Sequence, residues 1–216
     1  MSPEALAAAT GVSRETSDKF IIYQHLVEKW QKRLNLIGPA TLAALPERHF
    51  VDSAQLFPLI PESATTLVDL GAGAGFPGLV LALCAADAGR PLAVHLVESD
   101  ARKAAFLIEA ARAVGLLGAA VAVHAKRAQA MTGRFDVVTA RALAPLAELC
   151  ALAAALLAPG GVAIFPKGAR HADDVAAARA AGWRFDLAKH PSRTEKSAAI
   201  LVLRDLARDS AKIGRK

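Results

Sequence analysis

The chain has 216 residues, enough for one α/β domain with a short extension, and its 54% hydrophobic content excludes a disordered protein. Lys and Arg outnumber Asp and Glu by 26 to 20, a formal charge of +6 that points towards a polyanionic partner. Two cysteines in apolar runs and six scattered histidines form no C-x-x-C, H-x-H or H-E-x-x-H spacing, which excludes a disulfide framework and offers no metal site.

The first residues, MSPEALAAATG, have neither the basic start nor the long apolar core of a signal peptide. Residues 1–62 read as a helical extension. Within them, residues 16–36 place Phe20, Tyr23, Val27, Trp30 and Leu34 at spacings of three and four, an amphipathic helix pattern. Residues 49–60 carry a second short apolar pattern, closed by Pro58 and Pro61.

Residues 63–216 form the main domain, where strand and helix patterns alternate. TLVDL (66–70), LAVHLVE (92–98), GAAVAVH (118–124), FDVVTAR (135–141) and GVAIFPK (161–167) read as buried strands. WRFDLAKH (183–190) and AAILVLR (198–204) add two more, around a polar stretch at 190–197. Helices are expected from Pro77, from an N-cap at Ser99 or Asp100, over 145–157 up to a Pro-Gly-Gly turn, and around 173–181. Cys84 and Cys150 fit as small buried apolar residues. The apolar run at 143–165 is interrupted by Glu148, Pro159 and Gly160–Gly161, so no membrane span is expected and the protein is read as cytoplasmic. This order predicts an α/β fold, a doubly wound, mostly parallel seven-stranded sheet with helices on both faces.

The stretch VDLGAGAGFPG (68–78) admits two readings. An acid followed by G-x-G-x-G (Asp69, Gly71, Gly73, Gly75) suits S-adenosylmethionine, whose ammonium an acidic side chain near the turn can pair. GAGFPG fits the dinucleotide fingerprint, in which a pyrophosphate rests on a helix N-terminus. Glu98 ends the second strand about where an acid binds ribose hydroxyls, and both ligands have a ribose. Two later segments separate the readings. LLAPGGVAIF (156–165) resembles the turn into the fifth strand of class I methyltransferases, and RFDVVTARAL (134–143) resembles their fourth strand.

Six motifs carry a closer likeness: EKWQKRLNLIG (28–38), ERHFVDS (47–53), VDLGAGAGFPGL (68–79), LVESDARKAAFL (96–107), TARALAPL (139–146) and FPKG (165–168). In this order they resemble the bacterial small-subunit rRNA methyltransferase G family, also called glucose-inhibited division protein B. The resemblance implies methylation of a guanine at N7 in 16S rRNA, near the decoding region, with S-adenosylmethionine as donor. It places cofactor-binding positions on Gly71, Phe76, Ala128, Gln129 and Arg141, which join Asp69, Gly73, Gly75 and Glu98. Gln129 stands where the family often has an acid, and its carbonyl still accepts a hydrogen bond from an adenine amino group. EKSAAI (195–200) departs from the family's E-R-H segment. Asn35, His49 and Asp52 match family motifs and suit contacts between extension and core as well as contacts to RNA.

Guanine N7 carries a free lone pair, so methylation there needs no general base and no covalent intermediate. The chain has no N-P-P-[YF] motif, and neither cysteine has the polar, basic setting of a nucleophile. No catalytic acid, base or nucleophile is assigned. Arg141 is the candidate for positioning substrate or cofactor. The expected partner is 16S rRNA or the small-subunit ribonucleoprotein, met by basic residues among Lys29, Lys32, Arg33, Lys126, Arg127, Lys167 and Arg170. Neither membrane nor metal is expected, and the protein is read as a monomer. The competing readings are a methyltransferase for a protein or small molecule, a non-catalytic RNA-binding protein, and an NAD-dependent oxidoreductase.

Overall fold

The structure, a computed structural model, describes residues 1–209; the predicted domain's residues 210–216 lie outside the described residues. Two capped helices begin the chain. Ser2 caps α1 (Pro3–Thr10) by accepting the Ala5 N–H at 3.2 Å, and Ser13 caps α2 (Arg14–Gln31) by accepting that of Thr16 at 3.2 Å. Phe20, Tyr23 and Val27 of α2 are fully buried, as their spacing predicts, each worth about 1.5–3 kcal/mol in transfer terms. Leu34 is also buried but lies beyond the helix, because α2 ends at Gln31. The second apolar pattern is a π-helical turn (Pro46–Val51) leading into the short α3 (Asp52–Ala54) and a 3-10 turn (Phe57–Leu59). Ser13 also bonds the Asp87 carboxylate, which ties the extension to the main domain.

Seven strands follow: β1 (Thr66–Leu70), β2 (Ala93–Glu98), β3 (Val121–Ala125), β4 (Phe135–Thr139), β5 (Leu157–Lys167), β6 (Trp183–Pro191) and β7 (Ala199–Arg208). They form one sheet in the order β3-β2-β1-β4-β5-β7-β6. The first five run parallel, and β7 pairs antiparallel with both β5 and β6. Four helices join them: α4 (Gly78–Asp87), α5 (Ala101–Ala113), α6 (Leu146–Leu156) and α7 (His171–Ala180). The period of two divides the sheet between two cores. Leu67, Val94 and Leu96 face a core shared with α2, α4 and α5, while Val68, Val97 and Val138 face one shared with α6 and α7. The buried apolar side chains of residues 1–62 belong to the first of these cores.

Two local features differ from the sequence reading. The Pro-Gly-Gly segment is not a separate turn between helix and strand. Leu157 already pairs with Phe135, the register then shifts, and pairing resumes at Val162 opposite Val137. Pro159 cannot extend the helix, and the side chain of Arg134 donates to the carbonyls of Ala155 and Leu157 at 3.2 and 3.1 Å, closing the helix end directly onto the strand. The third strand also begins later than residue 118, at Val121.

Candidate functional site

β1 and β4 lie side by side where the strand order reverses, the place at which open α/β sheets bind ligands beyond their carboxyl ends. The glycine turn leaves β1 there, and Arg141 follows β4. Gly73 sits at φ +57° with room for a Cβ, which would meet only the Gly71 carbonyl oxygen at 3.9 Å, and its N–H donates to Glu98 Oε2 at 2.9 Å. The other Glu98 oxygen accepts the Asp100 N–H at 2.8 Å, so this carboxylate links the turn to the start of α5. Gly75 answers to packing instead. A Cβ there would collide with the Tyr23 hydroxyl and lie 3.2 Å from Leu107 and Leu79. The same hydroxyl donates to the Ala74 carbonyl, clamping the turn to α2.

Asp69 is fully buried, and its Oδ2 accepts the Gly78 N–H at 2.8 Å. A Cβ on Gly78 would lie 2.7 Å from that oxygen, so glycine is what permits the close approach. Oδ1 has no partner among the described residues. Burial pushes the carboxyl up to about 7; the Gly78 bond and Arg141 offset this in part, and Glu98 adds to it.

Two cavities meet over Gly71. The first, about 460 Å³, is lined by the turn, Phe76, Arg141, His49, Asp52 and Thr194. Phe76 is 3% exposed within an aromatic group, with ring centroids 4.9 Å from His49, 5.3 Å from Tyr23 and 5.6 Å from Phe50. The Arg141 guanidinium stands 5.2 Å from the Phe76 ring centroid, a cation–π distance. It donates to His49 Nδ1 at 2.8 Å and to Asp52 Oδ2 at 3.3 Å. Guanidinium only donates, so Nδ1 is the unprotonated nitrogen and Nε2 donates to Thr41 Oγ1 at 3.0 Å. Burial, with Arg141 and Arg48 adding to it, lowers the His49 pKa to about 3 and keeps that ring neutral.

Asp52 gathers three stretches of chain. Its Oδ1 accepts from Thr194 Oγ1 at 2.6 Å and from Gln55 Nε2 at 2.9 Å, while Oδ2 faces Arg141. Gln55 Oε1 accepts the Arg193 N–H at 2.8 Å, and Arg48 pairs with Glu195 at 3.3 Å. The β6–β7 connection thereby closes against the extension across the first cavity. The second cavity, about 410 Å³, lies on the other side of Gly71, lined by Val97, Ser99, Ala128, Gln129 and Leu143. Leu143 lies directly over the turn, since a Cβ on Gly71 would come within 2.7 Å of its Cδ1.

Of the sequence candidates, Gly71, Gly73, Phe76 and Arg141 line the first cavity, and Gly71, Ala128 and Gln129 the second. Asp69, Gly75 and Glu98 line neither; they support the turn from beneath. Among the basic candidates, Lys126 and Arg127 border the second cavity. Lys167 reaches the first but is engaged, paired with Asp174 at 2.8 Å and donating to the Ala144 carbonyl at 3.3 Å. Arg170 is exposed just before α7, and Asn35 is exposed near Gln31. Lys29, Lys32 and Arg33 border a separate cavity. The sequence reading does not single out Gln55, Leu143, Ser192 or Thr194; ERHFVDS lies beside Gln55, TARALAPL contains Leu143, and the polar stretch 190–197 contains Ser192 and Thr194.

The family model described as rRNA small subunit methyltransferase G matches residues 16–199. A protein named ribosomal RNA small subunit methyltransferase G from Rhodospirillum centenum is 51% identical over 208 residues, covering 96% of this chain and 92% of its own. One of the same name from Paramagnetospirillum magneticum is 48% identical, covering 98% and 99%. Among solved structures, a ribosomal protein L11 methylase from Lactobacillus delbrueckii subsp. bulgaricus superposes with a TM-score of 0.56 at 17% identity, over 75% of this chain and 79% of that one, a likeness of fold. The matched stretch contains the glycine turn, Arg141 and the residues of the extension that hold it, and on that ground the chain belongs to the rRNA small subunit methyltransferase G family.

Proposed function

We propose that this chain transfers a methyl group from S-adenosylmethionine to N7 of a guanine in 16S rRNA near the decoding region. The observation that carries the reading is the pair of cavities meeting over Gly71 at the point of strand reversal, in a chain of this family. The residues present fit the donor. Gly73, which lines the first cavity without a side chain to fill it, suits its polar amino-acid end, and Ala128 and Gln129 suit an adenine. When bound, it supplies an electrophilic methyl group on a sulfonium.

The chain's own contribution is alignment. Arg141, fixed by His49 and Asp52, presents a charge to the first cavity that can hold the donor's carboxylate or guanine O6. No side chain has to take a proton, because N7 has none to lose. Burial pushes both Cys84 and Cys150 up to about 12, which removes them as thiolate nucleophiles. A paired guanine hides N7 in the narrow groove of an A-form helix, so the target is an unpaired or extruded base. Lys126 and Arg127 line the border of the second cavity, where their charges can meet RNA phosphates. The same reading carries a monomer without a metal, acting in the cytoplasm; no helix among the described residues is long and apolar enough to cross a membrane. Mass spectrometry of nucleosides from 16S rRNA of a deletion strain tests it. Loss of N7-methylguanosine at one site is expected, and unchanged content rules the function out.

A further inference from the structure

The C-terminal turn of α2 and the first turn of α5 enclose a third cavity, about 460 Å³, that the proposed chemistry does not use. Trp30 and Leu34 supply its apolar surface; Lys29, Lys32, Arg33 and Arg102 supply four cations, and no carboxylate lines it. Trp30 is half-buried and set edge-on against Phe106, with ring centroids 5.8 Å apart, so its ring is held in place. Lys29 pairs with Glu109 at 3.5 Å and Arg102 with Asp100 at 3.3 Å, through largely exposed side chains that add little to stability. Lys32 and Arg33 have no ion-pair partner among the described residues, and both are exposed. Extension and sheet edge connect this cavity to the first one. Leu34 lines it, and two residues later Leu36 and Ile37 line the first; Arg102 follows the Glu98–Asp100 link that anchors Gly73.

We infer that this cavity is a second nucleotide subsite, which holds a single-stranded residue of the RNA next to the one being methylated. A flat apolar ring rimmed by cations matches a nucleobase attached to phosphates. An acidic peptide would use the cations and leave the indole unmatched. The inference rests on the reading that RNA is the substrate.

The test combines methyl-transfer kinetics on small-subunit RNA with equilibrium binding of a fluorescein-labelled, single-stranded oligoadenylate. Wild type is compared with K32A/R33A, Trp30→Leu and Trp30→Phe. K189A/R204A serves as a control that removes two exposed charges from the β6–β7 pair. K32A/R33A is expected to raise the KM for RNA about tenfold and to flatten the slope of log affinity against log salt by roughly 1.4, while kcat and S-adenosylmethionine affinity stay within about twofold. Trp30→Leu is expected to weaken oligoadenylate about tenfold at unchanged salt slope, and Trp30→Phe to restore most of it. Equal losses in the control, or an affinity indifferent to Trp30 and to the Lys32–Arg33 pair, overturn the subsite. So does tripolyphosphate competing as well as the oligonucleotide in both wild type and Trp30→Leu, which would mark a bare anion site. A wild type that binds S-adenosylmethionine yet methylates no RNA removes the proposed function instead; the oligoadenylate titration needs no turnover and still decides the subsite.

Discussion

The two cavities that meet over Gly71 are built in different ways. The wall of the first is assembled from residues 48–55, Arg141 and residues 192–195, cross-linked through Asp52 by ionic and hydrogen bonds. The wall of the second comes from the end of β2, short stretches just after β3 and β4 and one side of α6, with Gln129 making no side-chain hydrogen bond among the described residues. Under the proposed function, the contrast divides the work. Where a methyl group must meet a lone pair in line, small displacements cost rate, and the chain invests cross-links. Where an aromatic ring needs only a slot, backbone and a few apolar atoms suffice.

Substituting Asp52 tests that division most severely. Asp52→Ala releases Arg141, Gln55 and Thr194 together, and steady-state assays should show kcat/KM falling about 100-fold, with a denaturant-measured loss of about 2 kcal/mol. Asp52→Asn keeps an acceptor for Thr194 and should lose only about tenfold in kcat/KM. Wild-type kinetics for Asp52→Ala would erase the distinction between the two walls.

The glycine turn offers a sharper cut, because neighbouring glycines answer to different demands. Gly75→Ala forces a Cβ onto Tyr23, Leu107 and Leu79 at φ +90°, and should destabilise the fold by about 3 kcal/mol. Gly73→Ala makes only an ordinary contact with the Gly71 carbonyl oxygen, so its stability loss should stay near the left-handed penalty of about 1 kcal/mol, while cofactor affinity by calorimetry falls more than about tenfold. Equal stability losses at the two positions would contradict the packing assigned to Gly75.

Titration separates two buried groups of opposite sign. Asp69 keeps its proton up to about 7 in the fold, against 3.8 ordinarily, because of burial. The folded state therefore binds the extra proton between those values, and stability contributed there is lost as pH rises through that window. His49 is lowered from 6.5 to about 3, again by burial. In that range the unfolded chain takes the proton first, so stability falls as pH drops below 6.5. Melting series from pH 4 to pH 8 should show Asp69→Asn gaining on wild type as pH rises towards 7. Parallel curves would mean that Asp69 is not held protonated. The smallest effect belongs to the second cavity. Gln129→Ala should raise the KM for S-adenosylmethionine about fivefold and leave kcat alone, the loss of one hydrogen bond. A kcat loss as large as that of Asp52→Ala would make the two walls equivalent.

Much of this molecule is readable along the chain. TLVDL is a strand at its expected residues because a central parallel strand, covered on both faces, favours a run of apolar residues, which Leu67, Val68 and Leu70 supply. Asp100 caps α5 as its side chain allows, accepting from Arg102 and Lys103. The glycines mark the turn, and the six motifs mark the family. These are local matters of periodicity, backbone sterics and capping, which neighbouring residues settle among themselves. Other features had no local trace. The partners of Asp52 on Arg141 and Thr194 lie 89 and 142 positions away. The motif alone makes Gly75 a ligand contact, whereas in the fold Tyr23, 52 positions earlier, packs against it. Sequence alone thus determined the strands, the turn and the kinship, since each rests on short-range preferences. Only the tertiary structure decided which charges meet and which cavity each side chain enters, because electrostatics and close packing act through space between stretches that the chain keeps far apart.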